Sequence, residues 1–219
     1  GAACSACALG RFKAANGSGM CWVCGAGSYL NVTGGSACAS CPVETHSLAE
    51  SDAIVDCICN IGFEGVDGAA CSACPVGFYK AMNGSGSCVG CDAGTYLNAT
   101  ASSVCGGCPA NSHSPIASDA IVDCICNVGF EGVDGAACSA CAMGTYKPLN
   151  GSGSCTACEA GTYLNVTGGS VCVGCPASTQ SAVGSDAITD CICSIGFEGV
   201  DGAACSACAL GRFKAANGS

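Results

Sequence analysis

The chain has 219 residues, a net charge of −10 and only six basic side chains, Arg11, Lys13, Lys80, Lys147, Arg212 and Lys214. This leaves no cationic cluster to displace counterions from a nucleic acid or to hold an anionic membrane surface. Its 26 cysteines, about one residue in eight, make a disulfide scaffold the leading reading for an extracellular chain. Leu, Ile, Val and Phe number 38, about a sixth of the residues. No conventional hydrophobic core is available, and cross-links that restrict the unfolded chain must offset the cost of ordering the backbone.

From the N-terminus, Cys4, Cys71, Cys138 and Cys205 fall 67 residues apart, without insertion or deletion. Each unit reads C-x2-C, x13, C-x2-C, x13, C-x2-C, x15, C-x-C, x11, which is eight cysteines per repeat. The repeats are residues 1–67, 68–134 and 135–201, followed by the start of a fourth at 202–219. Residues 1–18 and 202–219 are identical, whereas the window at residue 68 differs, so a larger period of 201 residues overlies the smaller one. The sequence begins without Met or a signal peptide, and is expected to be an internal segment or a mature form with its ends removed.

Within a unit, segments such as GTYLNVTGGSVCVGC (161–175) read as hairpins, two short β-rich runs about a Gly-Gly turn. Gly34/Gly35 and Gly168/Gly169 would supply its positive φ. Ala101/Ser102 replace them in the middle unit, where the turn is expected to differ. The proline-led stretches PVETHSLAES (42–51) and PASTQSAVGS (176–185) read as polar loops. SDAI[VT]DCIC follows, and then the invariant GFEGVDGAACSAC around Phe63, Phe130 and Phe197. No segment keeps a helical period, and none approaches the roughly 20 apolar residues that span a bilayer. The expected fold is small and disulfide-rich, mostly coil with short β-hairpins and no conventional hydrophobic core.

C-x2-C pairs can hold zinc, but here they form an unbroken ladder rather than isolated fours. His46 and His113 share a repeat position that is Gln180 in the third unit, so they read as solvated loop histidines, and no metal site is assigned. Asp52, Asp56, Glu64 and Asp67 recur in register and read as solubilising charge, with calcium the weaker alternative. Enzymatic readings fail because no unique set of convergent polar groups is present, so no catalytic residue and no cofactor is assigned.

The segment C-x-C-x2-G-F-x-G (Cys57, Cys59, Gly62, Phe63, Gly65), followed by Cys71, resembles the C-terminal half of an EGF-like module. The preceding C-x2-C-G-A-G-S-Y and C-x2-C-P resemble the ephrin-receptor-like cysteine-rich repeat of protist and algal surface proteins. Ciliate immobilisation antigens carry similar periodic repeats. The resemblance implies a linear, rod-like tandem array of EGF-like modules. With 11 residues between Cys59 and Cys71 and two between Cys71 and Cys74, no flexible linker separates one module from the next.

EGF-type pairing, carried over from that resemblance, gives Cys24–Cys41, Cys38–Cys57 and Cys59–Cys71, with Cys7–Cys21 closing a fourth loop as in laminin-type modules. The next units would have Cys74–Cys88, Cys91–Cys108, Cys105–Cys124 and Cys126–Cys138, then Cys141–Cys155, Cys158–Cys175, Cys172–Cys191 and Cys193–Cys205. Cys4 and Cys208 would pair outside the window. Eight cysteines admit roughly a hundred connectivities, and a pairing with Cys4–Cys21 and Cys7–Cys24 stays open.

Seven of the ten asparagines begin N-x-[ST] sequons, in two registers: Asn16, Asn83, Asn150, Asn217 and Asn31, Asn98, Asn165. Asn-Gly-Ser is also turn chemistry, which accounts for the first series but not for Asn-Val-Thr and Asn-Ala-Thr on an expected strand. Persisting disulfides and N-linked glycans both place the chain in a secretory route, hence extracellular, secreted or cell-surface. The expected role is the shaft of a glycan-coated fibril whose partners are further copies or continuations of itself. The alternatives are a membrane-anchored coat antigen and a receptor or adhesion ectodomain.

Overall fold

A computed structural model describes residues 4–218. Residues 1–3, at the head of the first repeat, and Ser219, which completes the last sequon, lie outside the described residues. Among the described residues there is no α-helix. The elements are 24 two-residue strands and three single-turn 3-10 helices, Ile54–Asp56, Ile121–Asp123 and Ile188–Asp190.

The cysteines generate the local structure. After a half-cystine come two residues, then one in the left-handed region, then a two-residue strand. In the first hairpin the Arg11 N–H closes a turn on the Ala8 carbonyl at 3.2 Å, with Gly10 at φ 68° in the third position, where a type II turn demands it. The strand Arg11–Phe12 then pairs antiparallel with Trp22–Val23, immediately after Cys21. Cys24 opens the next hairpin without a linker, and Ser28–Tyr29 pairs with Ala39–Ser40. Cys41 opens the third, pairing Thr45–His46 with Ile58–Cys59, and Cys59 the fourth, pairing Phe63–Glu64 with Ser72–Ala73. Later hairpins repeat these pairings one and two periods on. In the third hairpin of each unit the left-handed position is held by Glu44, Asn111 or Ser178, at φ 59°, 61° and 61°.

Each C-x2-C is therefore not one bonding unit. Its two spacer residues are the returning strand of one hairpin, its first cysteine closes that hairpin and its second opens the next. The pairing is consecutive: twelve disulfides join neighbours in sequence, at separations of 12, 14 or 16 residues and Cα–Cα distances of 5.6–5.8 Å. This corrects the interleaved EGF-type bonds. Cys24–Cys41 and Cys38–Cys57 give way to Cys24–Cys38 and Cys41–Cys57. Cys91–Cys108 and Cys105–Cys124 give way to Cys91–Cys105 and Cys108–Cys124. Cys158–Cys175 and Cys172–Cys191 give way to Cys158–Cys172 and Cys175–Cys191. The physical reason is reach: the cysteines at the base of one hairpin already face each other at bonding distance, whereas the next one belongs to the following hairpin. Cys4 and Cys208 are unbonded within the chain. The loops closed by Cys59–Cys71, Cys126–Cys138 and Cys193–Cys205 run across positions 67/68, 134/135 and 201/202, where the arithmetic repeat boundaries fall.

The core is the disulfide series itself. The largest fully buried side chains are half-cystines together with Ser114. Leu30, Leu97 and Leu164, one per unit, are the buried aliphatic side chains among the described residues. The second glycine of each Gly-Gly pair makes room for this leucine, since a Cβ on Gly169 would lie 2.5 Å from Leu164. Only Gly34 and Gly168 of those pairs have positive φ, and Ala101 adopts the same conformation at φ 56°. The middle turn is therefore not different, and its Ala101 N–H bonds the Cys74 carbonyl just as Gly34 bonds Cys7 and Gly168 bonds Cys141. The proline-led stretches are also corrected, because each contains a strand, Thr45–His46 or Thr179–Gln180. Their serines Ser47, Ser51, Ser181 and Ser185 are buried, with hydroxyls donating to backbone carbonyls.

The chain divides into two compact units, one ending at Gly107 and including Ile116–Ala120, the other comprising Cys108–Pro115 and the residues from Ile121 on. Within the first, hairpins are tied to their successors by backbone bonds such as Gly10 N–H to Leu30 O (2.9 Å) and Gly34 N–H to Cys7 O (2.8 Å). Within the second, Gly144 N–H bonds Leu164 O and Gly168 N–H bonds Cys141 O, both at 2.8 Å.

Candidate functional site

Two sets of residues stand out once the hairpins are placed: the sequon asparagines and the polar groups at the junction between the fourth hairpin of one repeat and the first hairpin of the next. All seven sequon asparagines are exposed. Asn31, Asn98 and Asn165 follow the buried leucine at the end of the second hairpin's outgoing strand, and Val32 and Val166 beside them are also exposed.

The Asn-Gly-Ser series is built differently. Asn83 Oδ1 accepts the Ile61 N–H and Asn150 Oδ1 accepts the Val128 N–H, both at 2.9 Å. Each thus reaches back from the loop of a first hairpin to the turn of the preceding fourth hairpin. The turn reading of Asn-Gly-Ser holds a specific job here, satisfying a backbone donor of the neighbouring module.

At the same junctions Glu64 Oε2 accepts the Cys88 N–H and Glu131 Oε2 accepts the Cys155 N–H, both at 2.8 Å. Isolated bridges join Gly65 to Gly86 and Gly132 to Gly153. Lys80 and Lys147 are buried, with stems lying along the hairpins and ammonium groups donating to Gly84 O and Gly151 O.

Contacts of this kind correct the reading of Asp56, Glu64 and Asp67 as solubilising charge, whereas the Asp52 side chain is exposed. Asp56 accepts the N–H groups of Asp52 and Ala53, and Asp190 does the same for Asp186 and Ala187, capping the 3-10 turns. Asp67, Asp134 and Asp201 accept the N–H of Cys59, Cys126 and Cys193 across their hairpin loops. Among the described residues no group of His, Cys, Asp and Glu is arranged to hold a metal ion.

The histidines are likewise not solvated loop residues. His46 and His113 sit half-buried on strands, with Nδ1 bonded to Oδ1 of Asn60 and Asn127. In the third unit both partners differ, Gln180 replacing the histidine and Ser194 the asparagine. This paired change belongs to a cross-strand contact.

Comparison with protein families finds a match to the model described as tyrosine-protein kinase ephrin type A/B receptor-like, at residues 65–104 and 132–168. The two segments begin one period apart and run from the loop of a fourth hairpin through the first hairpin into the second. No curated protein matches the chain. No helix is long and apolar enough to cross a membrane among the described residues. The chain is a tandem series of small disulfide-bonded modules, and two stretches of it are similar to the ephrin-receptor-like cysteine-rich repeat.

Proposed function

We propose that this chain is part of an extracellular structural glycoprotein, the shaft of a filament whose length comes from repetition and whose surface carries N-linked glycan at the seven sequon asparagines. Twelve disulfides and an extracellular type of cysteine-rich repeat support the location. The observation that carries the structural role is the bonding of hairpin to successor through backbone groups. A chain in which each module is completed by its neighbour grows by addition and repeats its chemistry at fixed spacing. Such repetition suits length or avidity rather than a single catalytic centre, and the repeat type is non-enzymatic.

Exposed sequons in register would set bulky sugar along the array and shield the edges of the two-residue hairpins from pairing with other chains. The test is peptide mapping of the native glycoprotein together with electron microscopy. Filaments bearing glycan at the seven positions are expected, whereas bare asparagines would sink the sheath and isolated globules the shaft. In a membrane-anchored coat, the alternative, the same array would be followed in the full gene by a hydrophobic C-terminal tail.

An adhesion ectodomain has one observation in its favour. The first hairpin exposes Met20 (87%) and Trp22 (71%), where later units have Ser87 and Val89, then Ser154 and Thr156. Loss of cell or ligand binding in Trp22→Ala, with filaments intact, would select that reading.

A further inference from the structure

We propose that Asn83–Gly84 and Asn150–Gly151, where they carry no glycan, are latent deamidation sites kept silent by the closed junction between a fourth hairpin and the next first hairpin. Asparagine before glycine is the pair in which a backbone amide most readily attacks the preceding side chain, because no Cβ shields the nitrogen. In that reaction the Gly84 nitrogen bonds to Asn83 Cγ, the Cγ–Nδ2 bond breaks, and ammonia departs carrying the proton lost by the Gly84 amide. Water then opens the five-membered imide at either carbonyl, giving aspartate or its β-linked isomer. The sum is one water consumed and one ammonia released.

Both reacting groups are pinned to the neighbouring hairpin. The Gly84 N–H donates to Cys59 O at 2.8 Å, so the proton that must leave is held by a carbonyl. Asn83 Oδ1 meanwhile accepts the Ile61 N–H at 2.9 Å, which fixes the side chain whose carbon must be reached. In the next unit Gly151 N–H donates to Cys126 O at 2.7 Å, and Asn150 accepts from Val128 at 2.9 Å. Reaction therefore requires the junction to part, and its rate follows the population of the parted state. The β-linked product inserts a methylene into the backbone beside the Gly65–Gly86 bridge, so a junction that has reacted to this isomer cannot reclose in register. The modification is an irreversible record of junction opening.

The experiment uses the oxidised chain made without glycan, so its outcome does not depend on whether the sequons are occupied in the native protein. Deamidation at each site is followed by peptide mass spectrometry during incubation at mildly alkaline pH. A Cβ on Gly62 would lie 2.2 Å from Ala101 O, and one on Gly129 2.0 Å from Gly168 O, both in the second hairpin of the next repeat, so each substitution displaces the fourth-hairpin turn whose own N–H bonds Lys80 O or Lys147 O of the first hairpin. Gly62→Ala is expected to accelerate loss at Asn83 by about tenfold or more and leave Asn150 unchanged, with Gly129→Ala doing the reverse. Glu64→Gln, which weakens the bond to the Cys88 N–H, gives a milder opening at the first junction if Gly62→Ala does not fold. In the reduced, alkylated chain both sites should react at the rate of a free Asn-Gly peptide. The proposal is overturned if the intact chain already reacts at that rate. It is equally overturned if neither the glycine variants nor Glu64→Gln separates the two sites.

Discussion

Gly144 and Gly161 have the same backbone conformation in different surroundings, and replacing each with alanine separates two costs that are usually mixed. Both follow a half-cystine by three residues, with φ 74° and 82°, and both carbonyls accept the N–H of the half-cystine that opens the next hairpin, Cys158 or Cys175, at 2.9 Å. A Cβ on Gly161 meets nothing within 4 Å, whereas one on Gly144 would sit 2.2 Å from the Gly184 carbonyl oxygen. Gly161→Ala therefore pays only for an alanine in the left-handed region, about 1 kcal/mol. Gly144→Ala adds the withdrawal of the loop at 184–185, which holds Gly184 N–H on Cys158 O at 2.8 Å and Leu164 N–H on Ser185 O at 3.1 Å. Two backbone bonds at about 1 kcal/mol each bring its total to about 3 kcal/mol. The extra 2 kcal/mol is roughly a thirtyfold increase in local opening, read as faster hydrogen exchange at the Gly184 and Leu164 amides after acid quench and reduction. Equal exchange in the two variants would refute the claim that close backbone approach, and not φ alone, requires glycine at 144.

Disulfide mapping of the native chain should find cross-linked peptides joining Cys24 to Cys38 and Cys41 to Cys57, and a Cys24–Cys41 peptide would overturn the consecutive ladder. Asn83→Ala leaves the Ile61 N–H without its acceptor and should cost about 1 kcal/mol of junction stability. Asn98→Ala should change only glycan mass, and equal thermal shifts from the two would contradict the division between the sequon series. Leu164 is 5% exposed and packs on Gly169, so Leu164→Ala should destabilise its hairpin by about 2–3 kcal/mol. Hydrogen exchange near the Cys193–Cys205 hairpin should be unaffected, and a uniform loss of protection would show that the modules do not open separately.

The 67-residue period, the dependence on disulfides and the scarcity of aliphatic core were legible because they are matters of counting. The pairing was not, because C-x2-C looks the same whether its spacers form a tight bonding unit or a returning strand. A signal existed in the residue three after each opening cysteine: Gly10, Gly27, Gly62 and Gly77 mark every hairpin start except the third, where Glu44 tolerates the same turn. The acids misled for a different reason. Asp67 reads as surface charge until Cys59 is known to lie across the loop from it, and that depends on how the Cys59–Cys71 loop closes. The sequons were visible as a pattern, but that Asn83 and Asn98 differ in local bonding follows only from the neighbouring hairpin's Ile61 N–H, which donates to the Asn83 side chain.

Consecutive pairing also bears on how such a chain is made. Every disulfide here joins a cysteine to the one immediately before it, at a sequence separation of at most 16. A chain emerging N-terminus first can therefore close each cross-link as soon as the second thiol appears, and no thiol has to wait for a distant partner. Nested pairings would leave several thiols open at once and multiply the wrong choices. The oxidative search does not lengthen with the chain, so adding another 67 residues presents the folding machinery with the same local problem again.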